Sequence, residues 1–137
     1  MKNVLRQDYP DYFPQGCPPD EANTDDKELF RFCEEITPEV ADFISYYQKF
    51  PEKYRGKINA YGLSVLQSRE DCLRAYRKIP YLRKYKSIAQ GVTDFNRGSW
   101  KVTPGKISPA HVTWWVCEGV TPNIFFEFDI LTGDEYE

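Results

Sequence analysis

The chain has 137 residues, of which 41% are hydrophobic, 16% aromatic and 28% charged, with a formal net charge of -3. That is one domain's worth of sequence with enough large side chains for a core, which excludes disorder throughout. No run approaches the ~18 apolar residues of a membrane span, and Met1-Lys2 leads into polar sequence without an apolar leader segment, so a soluble, cytoplasmic protein with no membrane partner is expected.

Residues 1–28 hold Pro10, Pro14, Pro18 and Pro19 among many acids and read as an extended arm. Tyr9, Tyr12 and Phe13 predict that it packs onto a single domain spanning 29–137. Leu29 to Cys33 alternates and reads as a strand, with Arg31 sharing a face with Leu29 and Cys33 and with Phe30 and Phe32 opposite. Thr37-Pro38 is an N-cap signal. Val40, Phe43, Ile44 and Tyr47 then repeat at helical spacing, which predicts a helix over 38–49. Residues 51–57 read as a loop and 60–66 as a strand. Ser68, with Asp71 three residues on, opens a second helix that buries Cys72, Leu73, Tyr76 and Ile79 and stops at Pro80. Strands are predicted at 87–92, 100–103, 110–117 and 123–131, with turns at Asn96-Arg97-Gly98, Thr103-Pro104-Gly105 and Glu118-Gly119. The order predicts an α+β fold: a mainly antiparallel sheet, two helices in the N-terminal half and a β-rich C-terminal half.

Charge is segregated. Residues 1–50 carry 5 Lys/Arg and 11 Asp/Glu, residues 51–106 carry 13 and 4, and residues 107–137 carry none and 6. Two readings are open: the segments screen one another on a solvated surface, or the basic middle keeps a positive face for an anionic ligand. The overall negative charge argues against a dedicated DNA-binding protein.

Cys17, Cys33, Cys72 and Cys117 form no C-x-x-C pair, so they read as small apolar side chains and no metal site is expected. His111 is the single histidine, which excludes mechanisms that need two. The segment Gly62-Leu63-Ser64-Val65-Leu66 lacks the second glycine of a G-x-S-x-G elbow, so a hydrolase triad is not specified.

Two strands carry candidate chemistry. In the stretch 111–117, Val112, Trp114 and Val116 take one face and His111, Thr113, Trp115 and Cys117 the other. That second face either stacks a base or nicotinamide ring and bonds its substituents, or is buried among internal partners. In 123–131, Ile124, Phe126, Phe128 and Ile130 form an apolar face, and Glu127 and Asp129 stand opposite with Phe125. These paired carboxylates either line a cleft or belong to a solvated edge strand.

The order of Leu29-Phe30-Arg31, of Gly62-Leu63-Ser64-Val65 before a helix, and of Glu127-Phe128-Asp129 resembles the ADP-ribosyltransferase family of the Arg-Ser-Glu type. The resemblance implies NAD as cofactor, Arg31 on its phosphates or ribose, Ser64 at the nicotinamide ribose, Trp115 stacked on nicotinamide, and Glu127 or Asp129 stabilising charge on the ribose as nicotinamide leaves. Asp129 stands where that family has Glu. The expected function is binding of a nucleotide-type anion. The alternatives are a non-catalytic interaction module, immunity- or antitoxin-like, that binds an acidic or basic protein, and RNA binding through the basic middle segment.

Overall fold

The computed structural model describes residues 7–132. In chain order its strands are β1 (Lys27–Cys33), β2 (Leu63–Val65), β3 (Ser87–Thr93), β4 (Gly98–Val102), β5 (Val112–Val116) and β6 (Glu127–Ile130). All pair antiparallel, in one sheet ordered β1-β3-β6 and another ordered β2-β5-β4. The α-helices are α1 (Tyr46–Lys49), α2 (Pro51–Tyr54) and α3 (Arg69–Lys78). The fold is α+β and mainly antiparallel sheet, as the sequence predicts.

The two sheets meet edge to edge. The Phe30 N–H donates to the Leu66 carbonyl at 2.9 Å, and the Leu66 N–H to that of Phe30 at 2.7 Å. Alternation along β1 then feeds two cores. Leu29 and Cys33 join Phe43, Leu63, Val65, Val112, Trp114 and Phe126 on one side. Phe30 joins Leu66, Cys72, Leu73, Tyr76, Leu82 and Ile88 on the other, where α3 packs. The start of α3 follows the capping logic: the Ser68 hydroxyl accepts the Asp71 N–H at 3.0 Å. Its end is set by Pro80, which opens a 3-10 turn over Pro80–Lys84.

The helix predicted over 38–49 is divided. A 3-10 turn covers Val40–Phe43, Ile44 is extended, and α1 starts only after Ser45. Side chains compete with helical periodicity here. The buried Asp42 carboxylate accepts the N–H groups of Glu34 and Glu39 at 2.8 and 2.9 Å. Ser45 and Gln48 then cap α1 reciprocally. Pro51 opens α2 where a loop is predicted, because proline at the first helical position lacks only an N–H that has no partner there. The strand predicted over 60–66 is shorter, because Ile58–Tyr61 forms a 3-10 turn first. The strand predicted over 123–131 is likewise trimmed by a 3-10 turn at Pro122–Ile124. Of its predicted apolar face only Phe126 is buried, while Ile124, Phe128 and Ile130 are exposed.

The arm lies along β4, the free edge of its sheet. Asn23 exchanges backbone hydrogen bonds with Trp100 at 2.7 and 2.8 Å, Glu21 pairs with Lys101 at 2.8 Å, and the Tyr9 hydroxyl bonds Ser99 at 2.6 Å. Tyr12 stacks on Tyr47. Residues 27 and 28 already belong to β1, and residues 1–6 of the predicted arm, like 133–137 of the predicted domain, lie outside the described residues.

Candidate functional site

Ser64 sits mid-strand on β2, between β5 and the junction with β1, and its register partner on β5 is Thr113. Over this junction opens a cleft of about 480 Å³ whose walls include Tyr46, Tyr54, Lys57, Ser64, Thr103, Lys106, His111 and Thr113. A second depression of about 220 Å³ shares Tyr46, Ser64 and Ile107 with it and adds Arg31, Lys49, Phe50, Tyr81 and Lys84. The two form one groove, with five cationic side chains and no Asp or Glu among their lining residues.

Arg31 lies beneath this groove. Its Nε donates to the Asp42 carbonyl and its Nη1 to the Ser64 carbonyl, both at 2.7 Å, and it stands 6.0 Å from the centre of the Phe43 ring. These bonds tie β1 to β2 and to the 3-10 turn at Val40–Phe43. No carboxylate of the described residues lies within ion-pair distance of the guanidinium, although it is largely buried. The nearby Asp42 spends its oxygens on backbone N–H groups instead. Burial pulls the Arg31 pKa below its ordinary value, so this is a costly charge, held by two carbonyl dipoles and the Phe43 ring, with the Asp42 carboxylate beyond ion-pair distance.

His111 precedes β5 and lines the cleft. Its Nδ1 stands 2.9 Å from the Thr103 carbonyl and 2.9 Å from the Thr103 hydroxyl. A carbonyl only accepts, so these partners assign the ring proton to Nδ1 and leave the lone pair on Nε2. Burial lowers the His111 pKa, the hydrogen bond to the Thr103 carbonyl opposes that, and the Arg31 charge adds to the lowering. His111 is thus neutral at pH 7, with an accepting nitrogen. The Thr103 hydroxyl continues to that of Thr113 at 2.8 Å.

Arg31, Ser64, His111 and Thr113 are therefore gathered around one groove. Three other candidates are not. Trp115 is completely buried, and its indole N–H donates to the Ile58 carbonyl at 3.0 Å. It is a prop under the 3-10 turn that carries Asn59 and Ala60 to the cleft wall, so its ring is not free to stack on nicotinamide. β5 is the middle strand of its sheet and is covered on both faces, which is why the alternation Val112/Trp114 against Thr113/Trp115 does not separate core from site. Glu127 and Asp129 lie exposed on β6, the edge strand of the other sheet, opposite Gln90 and Ile88. Neither lines the groove, and Asp129 pairs with Arg69 at 3.0 Å.

The aromatic side chains at the cleft are Tyr46 and Tyr54, with ring centroids 5.5 Å apart. The helical pattern drew attention to the half-buried Tyr47 and passed over its exposed neighbour Tyr46. Lys57, Thr103 and Lys106 are also passed over: Lys57 lies in the predicted loop, Thr103 where a predicted strand meets its turn, and Lys106 just past that turn. The four cysteines are unpaired, and burial raises each thiol's pKa, so none is a thiolate nucleophile at pH 7. Among the described residues no group of three or more His, Cys, Asp or Glu is placed to hold a metal ion. No protein-family model, curated protein or solved structure matches the chain.

Proposed function

We propose that this protein binds a nucleotide-type anionic ligand, NAD foremost, in the groove above Arg31. One observation carries the reading: a largely buried guanidinium without a carboxylate partner lies under a groove rimmed by Lys49, Lys57, Lys84 and Lys106 and free of acids. A phosphate supplies the missing charge, and Arg and Lys are its usual donors. The cleft volume falls within the range of small-molecule sites. Tyr46 and Tyr54 offer ring faces to a base or nicotinamide, and Ser64, Thr103 and the His111 Nε2 offer donors and acceptors to ribose hydroxyls or an amide.

The joining of Arg31 and Ser64 supports the first two-thirds of the ADP-ribosyltransferase resemblance. The last third is not supported, because Glu127 and Asp129 stand on β6. The proposal is therefore one of binding. ADP-ribosyl transfer through those carboxylates is not part of it.

Calorimetry with NAD, ADP-ribose and AMP tests the reading. Binding is expected, weakened about tenfold by Tyr46→Ala or by Lys57→Ala with Lys106→Ala, and unchanged in Glu127→Gln. An absence of heat with all three ligands at millimolar concentration ends it.

A further inference from the structure

The groove does not stop at the cleft. Past Tyr46 it runs to Phe50 and Tyr81, two rings that are 55% and 65% exposed. Phe50 is held out at the corner between two helices. Its N–H donates to the Tyr46 carbonyl, ending α1, and its carbonyl accepts the N–H groups of Lys53 and Tyr54, starting α2. Tyr81 is fixed by Lys84, whose ammonium donates to the phenol oxygen at 2.8 Å and lies 4.4 Å from the ring centre. Both rings face solvent at the edge of the groove.

The cations around them are of two kinds. Lys84 is partly neutralised by Glu34 at 3.4 Å. Lys49, Lys53, Lys57 and Lys106 make no ion pair with any described residue. Lys53 and Lys57 instead stand 5.3 and 5.5 Å from the Tyr54 ring centre.

From these exposed rings and unpaired lysines around one groove we infer that the groove takes a single-stranded polynucleotide, with one unit in the cleft and its neighbours on Tyr46, Phe50 and Tyr81. The inference rests on the nucleotide reading of the cleft and extends it to a chain. Bases stack on aromatic faces whatever their sequence, and lysines track the phosphates. A duplex hides its base faces, and an acidic peptide does not present a ring at every unit as a single strand does. The net charge of -3 does not oppose this, because the acids are elsewhere than in the groove lining.

The test is fluorescence anisotropy with labelled 12-mers of oligouridine and oligothymidine, alongside AMP calorimetry on the same protein. Either 12-mer is expected to bind at least tenfold more tightly than AMP, and comparison of the two distinguishes RNA from single-stranded DNA. At about -0.7 per neutralised phosphate, four lysines predict a slope of log K against log salt near -3. Lys49→Ala with Lys106→Ala is expected to reduce it by about half. Phe50→Ala and Tyr81→Ala, both at solvent-exposed positions, are expected to weaken the 12-mers several-fold each and more than they weaken AMP. If AMP binds and neither 12-mer binds more tightly, the inference falls and the cleft reading stands. If the 12-mers bind and none of NAD, ADP-ribose and AMP does, the cleft reading falls and the extended surface remains. A duplex of the same length binding as tightly, or polyglutamate competing as well as oligouridine, overturns the inference.

Discussion

Replacing Arg31 with methionine separates what this residue does for the fold from what it does for a ligand. The change keeps most of the side-chain length and removes the charge and the two bonds that the guanidinium donates. Each lost bond, from a charged donor to a carbonyl at 2.7 Å, is worth about 1.5–3 kcal/mol. Against this, releasing a largely buried guanidinium from its carbonyl cage recovers a desolvation cost of several kcal/mol. The two nearly cancel, and the carbonyls of Asp42 and Ser64 are left without that partner. A net destabilisation of about 1–2 kcal/mol is expected. Ligand binding has no such offset: losing one charge-assisted phosphate contact raises Kd by roughly 10–100-fold. The assay is urea unfolding for stability and calorimetry with ADP-ribose for affinity, both on Arg31→Met and on Arg31→Lys. Lysine keeps the charge but not the fork, so it is expected to restore part of the binding and little of the bracing. A folded Arg31→Met protein that binds ADP-ribose within threefold of wild type refutes the assignment of Arg31 as the ligand's counter-charge.

His111 has a folded-state pKa below its ordinary value, so its contribution to stability is complete above the unfolded pKa of about 6.5 and is lost as pH falls through the folded value. His111→Gln should therefore show a shallower loss of urea midpoint between about pH 7 and pH 5 than wild type, and parallel curves would contradict the burial argument. Asp129→Asn breaks an exposed ion pair and should cost less than about 0.5 kcal/mol, with nucleotide affinity unchanged in it and in Glu127→Gln. A tenfold affinity loss in either would return those carboxylates to the site. Gly91→Ala places a methyl group on the buried Phe126 ring, which is itself stacked on Trp114. It should lower stability by about 1–3 kcal/mol through overpacking, and a neutral result by urea unfolding would mean that Phe126 is not fixed there.

Where local rules and tertiary demands agree, the chain is readable residue by residue. The alternation of Leu29, Phe30, Arg31, Phe32 and Cys33 delivers two cores because β1 has both faces covered. Ser68 and Pro80 bracket α3 because a cap and a missing N–H act on the backbone directly. Legibility fails where a side chain bonds backbone far from its own position. Nothing local to 38–49 shows that Asp42 will be taken up by Glu34, and this breaks the predicted helix. The same limit applies to the site. Arg31 and Ser64 were selected from their order in the chain, yet which strand lies beside Ser64 is a matter of sheet order. That neighbour is β5, with Thr113 and His111, and β6 with its carboxylates lies at the far edge of the other sheet. A pattern of motif order cannot see this, because it holds no information on pairing partners.

Charge segregation along the chain admits mutual screening or an open positive face, and the structure contains both in different places. Glu21 reaches Lys101, Glu34 reaches Lys84, and Asp129 reaches Arg69. Each of these pairs joins an acid from one end of the chain to a base from its middle. Lys49, Lys53, Lys57 and Lys106 lie outside this scheme: Lys57 and Lys106 line the cleft, Lys49 lines the depression beside it, and Lys53 stands over the Tyr54 ring. Like charges crowded within a Debye length, about 8 Å at physiological salt, repel one another. Lysines set around one groove without an ion-pair partner among the described residues keep such repulsion in the free protein. On the proposed reading an incoming polyanion would lower that repulsion, so the positive face would draw binding energy from a cost already present in the free protein.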